Sequence, residues 1–284
     1  LFSQTPLISV VIPCYNYGRY LFRAVESVVR QSLSNWELII VNDGSTDNTS
    51  EIARELIKKY PDCNIQLIEQ ENSGHAAISR NNGIRRAKGK YILCLDADDM
   101  IAPTMLEECL LIAEAGYPLV YTDYETFKQG KMGKDIEFGQ VIRLIEYDFQ
   151  ILKYRNFIST ASIFLKRAWE DVGGYRTNTG YEDWDFWIAL GAKGYKGARV
   201  GKPLFKYFQG DSSFYQKARK KDILNKAYIV LNNAEVYPAE VQEWALAAIQ
   251  KKPWALCTPI SVIPTPEMVK EMKKTFDTKA CCKS

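Results

Sequence analysis

The stretch Leu7-Ile8-Ser9-Val10-Val11-Ile12-Pro13, followed by Tyr20-Leu21-Phe22-Arg23-Ala24-Val25-Glu26-Ser27-Val28-Val29-Arg30, decides the fold. The first run is rich in branched apolar residues and Pro13 ends it, which reads as a buried strand. In the second, Leu21, Ala24, Val25, Val28 and Val29 recur at helical spacing, so the pair forms one β-α unit. The pattern then repeats. Glu37 to Asn42 is a second strand, followed by the turn-rich Asp43-Gly44-Ser45-Thr46-Asp47 and a helix carrying Ile52, Ala53, Leu56 and Ile57. Ile65 to Glu69 is a third strand, Ala76 to Ala87 a third helix closed by Gly89, and Tyr91 to Leu95 a fourth strand. Strands buried on both faces and separated by crossover helices predict an α/β fold with a doubly wound, mostly parallel sheet and flanking helices.

The fourth strand runs directly into acid: Leu93-Cys94-Leu95-Asp96-Ala97-Asp98-Asp99. Three carboxylates within four positions repel one another unless a cation joins them. Hard divalent ions such as Mg²⁺ or Mn²⁺ take oxygen ligands, and Mg²⁺ commonly binds through one or two carboxylates plus substrate phosphates. An acidic turn that merely caps the next helix is the alternative. Position argues against it, because every unusual polar cluster follows a strand: Asn16 the first, Asp43 the second, Asn72 the third, Asp96 the fourth. In doubly wound sheets ligands bind beyond the carboxyl ends of the strands. No Gly-x-Gly-x-x-Gly follows the first strand and no Gly-x-x-x-x-Gly-Lys-Ser/Thr occurs, so a nucleotide would be held in another way.

These motifs, Ile12-Pro13-Cys14-Tyr15-Asn16, Val41-Asn42-Asp43-Gly44-Ser45-Thr46-Asp47, Glu71-Asn72-Ser73-Gly74 with Arg80-Asn81, and Leu95-Asp96-Ala97-Asp98-Asp99, resemble in order and spacing the family 2 inverting glycosyltransferases. The resemblance covers roughly residues 6 to 210. It departs at Asn42, where an acid is common, and at Cys14 and Ser79. It implies a GT-A fold, a nucleoside-diphosphate sugar as donor (a UDP-sugar above all) and a divalent cation, Mg²⁺ or Mn²⁺. Carried over residue by residue, Pro13 and Tyr15 border the nucleobase, Asn16 belongs to the nucleotide-binding set, and Asp43 bonds the base or ribose. Asn72 and Gly74 shape a loop near the donor, and Arg80 reaches the diphosphate or the base, its alternative being a solvated surface arginine. Asp96, with Ala97 beside it, attends the ribose and the metal, and Asp98 coordinates the metal. If the backbone stays extended, Asp96 and Asp98 project to one side. Asp99 then points toward the helix that Pro103 opens.

The second half offers Tyr181-Glu182-Asp183-Trp184-Asp185-Phe186-Trp187. The acids at the head of this helix could simply favour its positive end. The resemblance instead makes Glu182-Asp183 the catalytic pair, with Asp183 the general base for an acceptor hydroxyl. Trp184 and Trp187 are i,i+3 neighbours, one expected in the core and the other as an acceptor wall; Trp184 and Tyr181 are the acceptor-side candidates. Leu119 to Tyr124 and Ala161 to Leu165 read as strands, Gln129 to Lys134 as a flexible turn, and Gly173-Gly174-Tyr175 as an element that precedes the base helix in the family. Pro203 to Phe208 reads as an edge strand, Asp222 to Asn232 and Ala239 to Ile249 as helices, and Glu267 to Phe276 as a short final helix. The expected organisation is a nucleotide-sugar-binding half over residues 1–100, an acceptor and base half over 101–212, and a C-terminal helical extension over 213–284.

Composition bounds the rest. A chain of 284 residues with net charge +3 and 46% hydrophobic residues is ordinary globular material. The small net charge and the lack of a known motif argue against nucleic acid. The seven scattered cysteines, with no Cys-x-x-Cys pair, suggest a reducing compartment and no structural zinc. With no long apolar run and no leader pattern, a cytoplasmic protein is expected. The basic run Lys217, Arg219, Lys220 and Lys221 would allow at most a peripheral contact with an anionic membrane carrying a lipid-linked acceptor, and is otherwise a solvated face. A saccharide is the other acceptor class. A Gln-x-x-Arg-Trp motif is absent, so one sugar per encounter is expected. The competing readings are a sugar nucleotidyltransferase, whose glycine-rich basic loop is missing after strand one, and a sugar-nucleotide-binding protein without turnover, which would not need Asp183.

Overall fold

A computed structural model describes residues 5–129, 135–210 and 220–281, with side chains to residue 276. The chain packs as two compact units. The first comprises residues 1–147, 158–175 and 195–211, the second residues 148–157, 176–194 and 212–284.

The first unit begins with β1 (Ile8–Cys14), α1 (Gly18–Val29), β2 (Trp36–Asp43), α2 (Thr49–Lys59), β3 (Ile65–Gln70), α3 (Ala76–Arg86) and β4 (Tyr91–Cys94). It continues through β5 (Met100–Ile101), α4 (Met105–Glu114), β6 (Leu119–Gln129) and β7 (Ile136–Ile142). In the second unit lies α5 (Phe149–Leu152), and the chain returns to the first for β8 (Ile163–Leu165) and α6 (Lys166–Val172). After α7 (Glu182–Ala192) in the second unit comes β9 (Gly197–Phe208) in the first, then α8 (Asp222–Asn232), α9 (Ala239–Ile249) and α10 (Pro266–Cys281) in the second. No helix among the described residues is long and apolar enough to cross a membrane.

The sheet runs β3-β2-β1-β4-β8-β6-β9-β5, with β7 paired to β6. β3, β2, β1 and β4 are parallel, as are β6 and β9, while β8, β5 and β7 join antiparallel. β1 and β2 are buried almost throughout, as their apolar runs require. α1 lays Leu21, Ala24, Val25 and Val28, all fully buried, onto this sheet. Truncating a leucine at such a site costs about 2–5 kcal/mol. Ser9 and Glu37 are buried polar residues, as are Asn42 and Asp43 at the other end of β2: the Ser9 hydroxyl donates to Glu37 at 2.6 Å and accepts from the Gly89 amide at 2.8 Å. Gly89 therefore serves a close approach to Ser9, and the residue that ends α3 is Ala87 in an extended conformation.

Several expectations change. Pro13 lies inside β1, paired with Val41, because β4 leaves β1 after Val11 and a missing N–H there breaks no second ladder. Pro203 to Phe208 is no edge. It belongs to β9, which lies between β6 and β5, and Pro203 sits where the β6–β9 register shifts. Gln129 ends β6, and the rest of the expected turn, residues 130–134, lies outside the described residues, as do Lys217 and Arg219. Thr104, one residue beyond Pro103, is the N-cap of α4. The predicted helices at Asp222–Asn232 and Ala239–Ile249 appear with those bounds.

Candidate functional site

The four parallel strands end side by side, so Asn16, Asp43, Asn72 and Asp96 follow them at one edge of the sheet. Asn16 adopts φ 57°, and its Oδ1 accepts from the Thr46 amide at 2.7 Å and the Asp47 amide at 3.3 Å. Its side chain thus clamps the loop after β1 to the loop after β2. Asp47 completes the clamp by accepting from the Gly18 amide at 3.1 Å and the Thr49 amide at 3.0 Å. Tyr15, by contrast, is 47% exposed.

Asp43 is buried at the end of β2. Its Oδ1 accepts from Gln70 Nε2 at 2.5 Å and from the Ser73 amide at 3.0 Å, and its Oδ2 accepts from the Ser73 hydroxyl at 2.9 Å. Three of a carboxylate's roughly four acceptor directions are thereby occupied. The loop it holds turns at Gly74, φ +71°, whose amide donates to Asn72 Oδ1 at 2.9 Å. Gly44, φ +67°, packs so closely on this loop that a Cβ would lie 2.5 Å from the Asn72 nitrogen. His75, the one histidine of the chain, caps α3 by accepting the Ala77 amide at Nδ1, 3.2 Å.

Arg80 is only 4% exposed, and its Nη2 donates to Asp96 Oδ1 at 2.7 Å. The surface-arginine alternative is overturned, since α3 turns this residue inward. Tyr175 lies under the guanidinium, 5.9 Å from ring centroid to Cζ, and its hydroxyl donates to Cys94 Sγ at 3.9 Å. Tyr175 is itself held by Asn81, whose Oδ1 also accepts from Trp169 Nε1 at 3.0 Å. Gly174, φ +82°, makes this possible: a Cβ would stand 2.8 Å from Asn81 Oδ1. Asn81, Trp169 and Tyr175 carry no site role in the sequence reading: Asn81 enters only beside Arg80 in a motif, Tyr175 only in the Gly-Gly-Tyr element, and Trp169 not at all.

The acidic stretch does not stay extended. Residues 97 and 98 form a turn closed by the Asp99 amide donating to the Asp96 carbonyl at 3.0 Å. The premise for a shared side by strand alternation therefore fails, yet Asp96 and Asp98 remain electrostatic neighbours. Burial pushes the Asp98 carboxyl up to about 7, Asp96 adds to the rise, and Arg23 opposes it. Asp99 does not reach the α4 terminus. It is buried, accepts from the Phe208 amide of β9 at 2.7 Å, and is held well above the usual carboxylate range by burial and its two acidic neighbours. Two close carboxylates, one raised by burial and by the other, and an Asp96 oxygen not engaged by Arg80, suit a hard divalent cation. Among the described residues no cluster of three or more His, Cys, Asp or Glu gathers as a complete cage. Substrate phosphates would have to finish the coordination.

In the second unit, Asp183 lies in the first turn of α7, 3.4 Å from Asn156 Nδ2, and Glu182 is buried beside it. The helix head is fixed by Asp185, which is buried and accepts from Arg176 at 3.2 Å and Asn233 Nδ2 at 2.8 Å. Burial raises its carboxyl despite these partners. Both indoles of α7 are core: Trp187 is fully buried, and Trp184, 1% exposed, donates to the Leu152 carbonyl at 2.7 Å. The expectation that one of the pair walls an acceptor site gives way to tight packing. Tyr181 is half-buried and its hydroxyl donates to Asp222 at 2.8 Å.

Comparison with known proteins bears on the fold and the family. Glycosyltransferase GlyG of Streptococcus pneumoniae is 46% identical over 104 residues, 37% of this chain and 34% of that protein. The uncharacterized glycosyltransferase YibD of Escherichia coli is 42% identical over 113 residues, 40% of this chain and 32% of that one. The match thus spans about a third of either relative. The putative glycosyltransferase EpsE of Bacillus subtilis is 29% identical over 223 residues, covering 76% and 78% of the two chains. Among solved structures, Staphylococcus aureus TarS 1-349 in complex with UDP-GlcNAc has a TM-score of 0.63 at 19% identity, covering 88% of this chain and 73% of that one. The mannosyltransferase PcManGT from Pyrobaculum calidifontis, in complex with GDP-Man and Mn²⁺, has a TM-score of 0.62 at 16% identity over 99% and 81%. These likenesses show the GT-A fold that the motifs implied. The family model for glycosyl transferase family 2 matches residues 9–173, well over half of the chain, and the protein belongs to that family.

Proposed function

We propose that the protein transfers a sugar from a nucleoside-diphosphate sugar to a hydroxyl of a glycan or lipid-linked saccharide, in one displacement that inverts the anomeric centre. The observation that carries this is the Arg80–Asp96 pair beside the raised Asp98 carboxyl, at the sheet edge where the parallel strands end. Asp96 and Asp98 would hold Mg²⁺ or Mn²⁺, which would supply neutralisation of charge on the departing diphosphate, an effect of several kcal/mol at the transition state. Arg80 keeps Asp96 aimed. Pro13 and Tyr15 border the base, while Asn16, Asn72 and Gly74 shape the loops around it and Ala97 leaves room at the ribose.

Asp43 retains one open acceptor direction. That matches the single ring N–H of uracil better than the adjacent N–H donors of guanine, which supports a UDP-sugar. Asp183, at the head of α7, takes the proton of the acceptor hydroxyl, with Glu182 behind it and Tyr181 on the acceptor side. The ligands named for TarS and PcManGT, UDP-GlcNAc and GDP-Man with Mn²⁺, belong to the same chemical class as this donor. Membrane contact is proposed only as peripheral, through the exposed Lys220 and Lys221 at the cytoplasmic face.

Thermal denaturation with UDP, GDP or CDP, each with and without Mn²⁺, tests the reading. UDP should raise the melting temperature most, and only with the cation. Equal stabilisation by all three without metal would sink it.

A further inference from the structure

The mechanism above leaves Arg23 unused. It lies on α1 in one stripe with Tyr17 and Tyr20, and its guanidinium carbon sits 5.3 Å from the Tyr20 ring, 5.4 Å from Phe127 and 5.2 Å from Phe208. The rings form one box, with Tyr20–Phe208 centroids 5.0 Å apart and Phe127–Phe208 5.3 Å apart. Aromatic faces hold the cation flat, but they satisfy none of its hydrogen-bond donors. Arg23 as a whole is part-buried, but Nη2 is buried and has no hydrogen-bond partner among the described residues. An arginine stays charged at any physiological pH, so a buried, unmet N–H on a cation calls for an anionic acceptor.

The box is anchored at the acidic turn. Asp99 accepts from the amide of Phe208, one of its walls, and Met100 packs against it. Asp98 and Arg23 feel one another's charge, as do Asp98 and Tyr17. A divalent cation on Asp98 would carry the donor's phosphates within a few ångströms of that carboxylate, because each ligand oxygen stands about 2 Å from the ion.

We propose that Arg23, steadied by the Tyr20, Phe127 and Phe208 rings, is a second phosphate-binding cation of the site and receives a non-bridging oxygen of the donor's diphosphate on Nη2. This rests on the nucleoside-diphosphate reading above and deepens it. The fork supplies fixed positive charge where the leaving group departs, in addition to what the carboxylates hold. The rings prevent the guanidinium from collapsing onto Asp98 when no donor is bound.

The test is calorimetric titration of the intact chain with UDP and with uridine, in Mn²⁺, for the wild type, Arg23→Met and Arg23→Lys. Methionine fills the aromatic box without a charge, so folding is retained and the melting temperature of the unliganded protein should hold or rise. Arg23→Met should bind UDP about tenfold more weakly or worse, the loss of one charge-assisted hydrogen bond, with uridine affinity unchanged. Arg23→Lys should recover part of the UDP affinity. The proposal is overturned if Arg23→Met binds UDP as the wild type does, or if it loses UDP and uridine by the same factor. A wild type that binds no UDP, GDP or CDP would instead overturn the donor reading itself.

Discussion

Asn81 grips Tyr175 at both ends of its backbone, donating from Nδ2 to the Tyr175 carbonyl at 2.8 Å and accepting the Tyr175 amide on Oδ1 at 3.0 Å, across 94 positions of sequence. The ring so fixed lies under Arg80, and Arg80 holds Asp96. Positioning of the candidate metal carboxylate therefore begins three side chains away.

Asn81→Ala should destabilise the protein by about 3 kcal/mol. It strands the Trp169 indole N–H and both backbone groups of Tyr175 in a buried site. Urea denaturation checks this: the midpoint should fall with little change in slope. An unchanged midpoint would mean water replaces the amide at no cost.

Asp183→Asn should retain UDP binding and lose transfer by 10²–10⁴-fold, the usual contribution of a positioned base. Asparagine keeps the shape and the helix-head position but cannot take the acceptor proton. Transfer from a UDP-sugar panel, measured beside UDP affinity, separates the two effects. Native turnover in the variant would remove Asp183 from the chemistry.

Asp123 and Arg199 make the pH prediction. Burial works to raise the Asp123 carboxyl, but Arg199, donating from Nε and Nη2 at 2.7 Å each, outweighs it and holds the group below the usual range. A folded pKa below the unfolded value of about 3.9 means the contribution is present above that pH and fades as pH falls through the folded value. Arg199→Met should cost about 3–5 kcal/mol at pH 7, because it leaves a buried carboxylate without its ion-pair partner and with the Leu144 amide as its remaining donor. Its deficit should narrow on acidification, as the orphaned Asp123 takes up a proton. Denaturation midpoints between pH 3 and pH 7 provide the measurement, and a deficit independent of pH would contradict the assignment.

What the sequence disclosed and what it withheld follow from the range of the interactions. Strands β1, β2 and β4 were legible because both faces are buried and their residues say so one by one, and the polar groups at the carboxyl ends of all four parallel strands followed from topology alone. The fates of those polar groups were not legible. Arg80 looked like a solvated helix residue until α3 was packed against the sheet, and Asp99 looked like a helix cap until β9, more than a hundred residues later, brought its Phe208 amide. The Pro203 strand was misjudged as an edge because proline usually marks one, whereas here a register shift absorbs it. Trp184 and Trp187 share a helical stripe, and spacing alone could not tell packing from exposure. Arg23 shows the same limit from the other side, since its three rings come from α1, β6 and β9.

The engaged carboxylate of Asp43 bears on how nucleotide preference can drift. With three acceptor directions spent on Gln70 and Ser73, Asp43 is a keystone as well as the proposed reader of the base, and its removal drops the Gln70–Ser73 arch before any base arrives. Variation that retunes the donor should therefore accumulate at Gln70 and Ser73, each of which can release a lone pair, while Asp43 itself stays put. A screen for altered donor use would do better to randomise those two positions than the aspartate they surround.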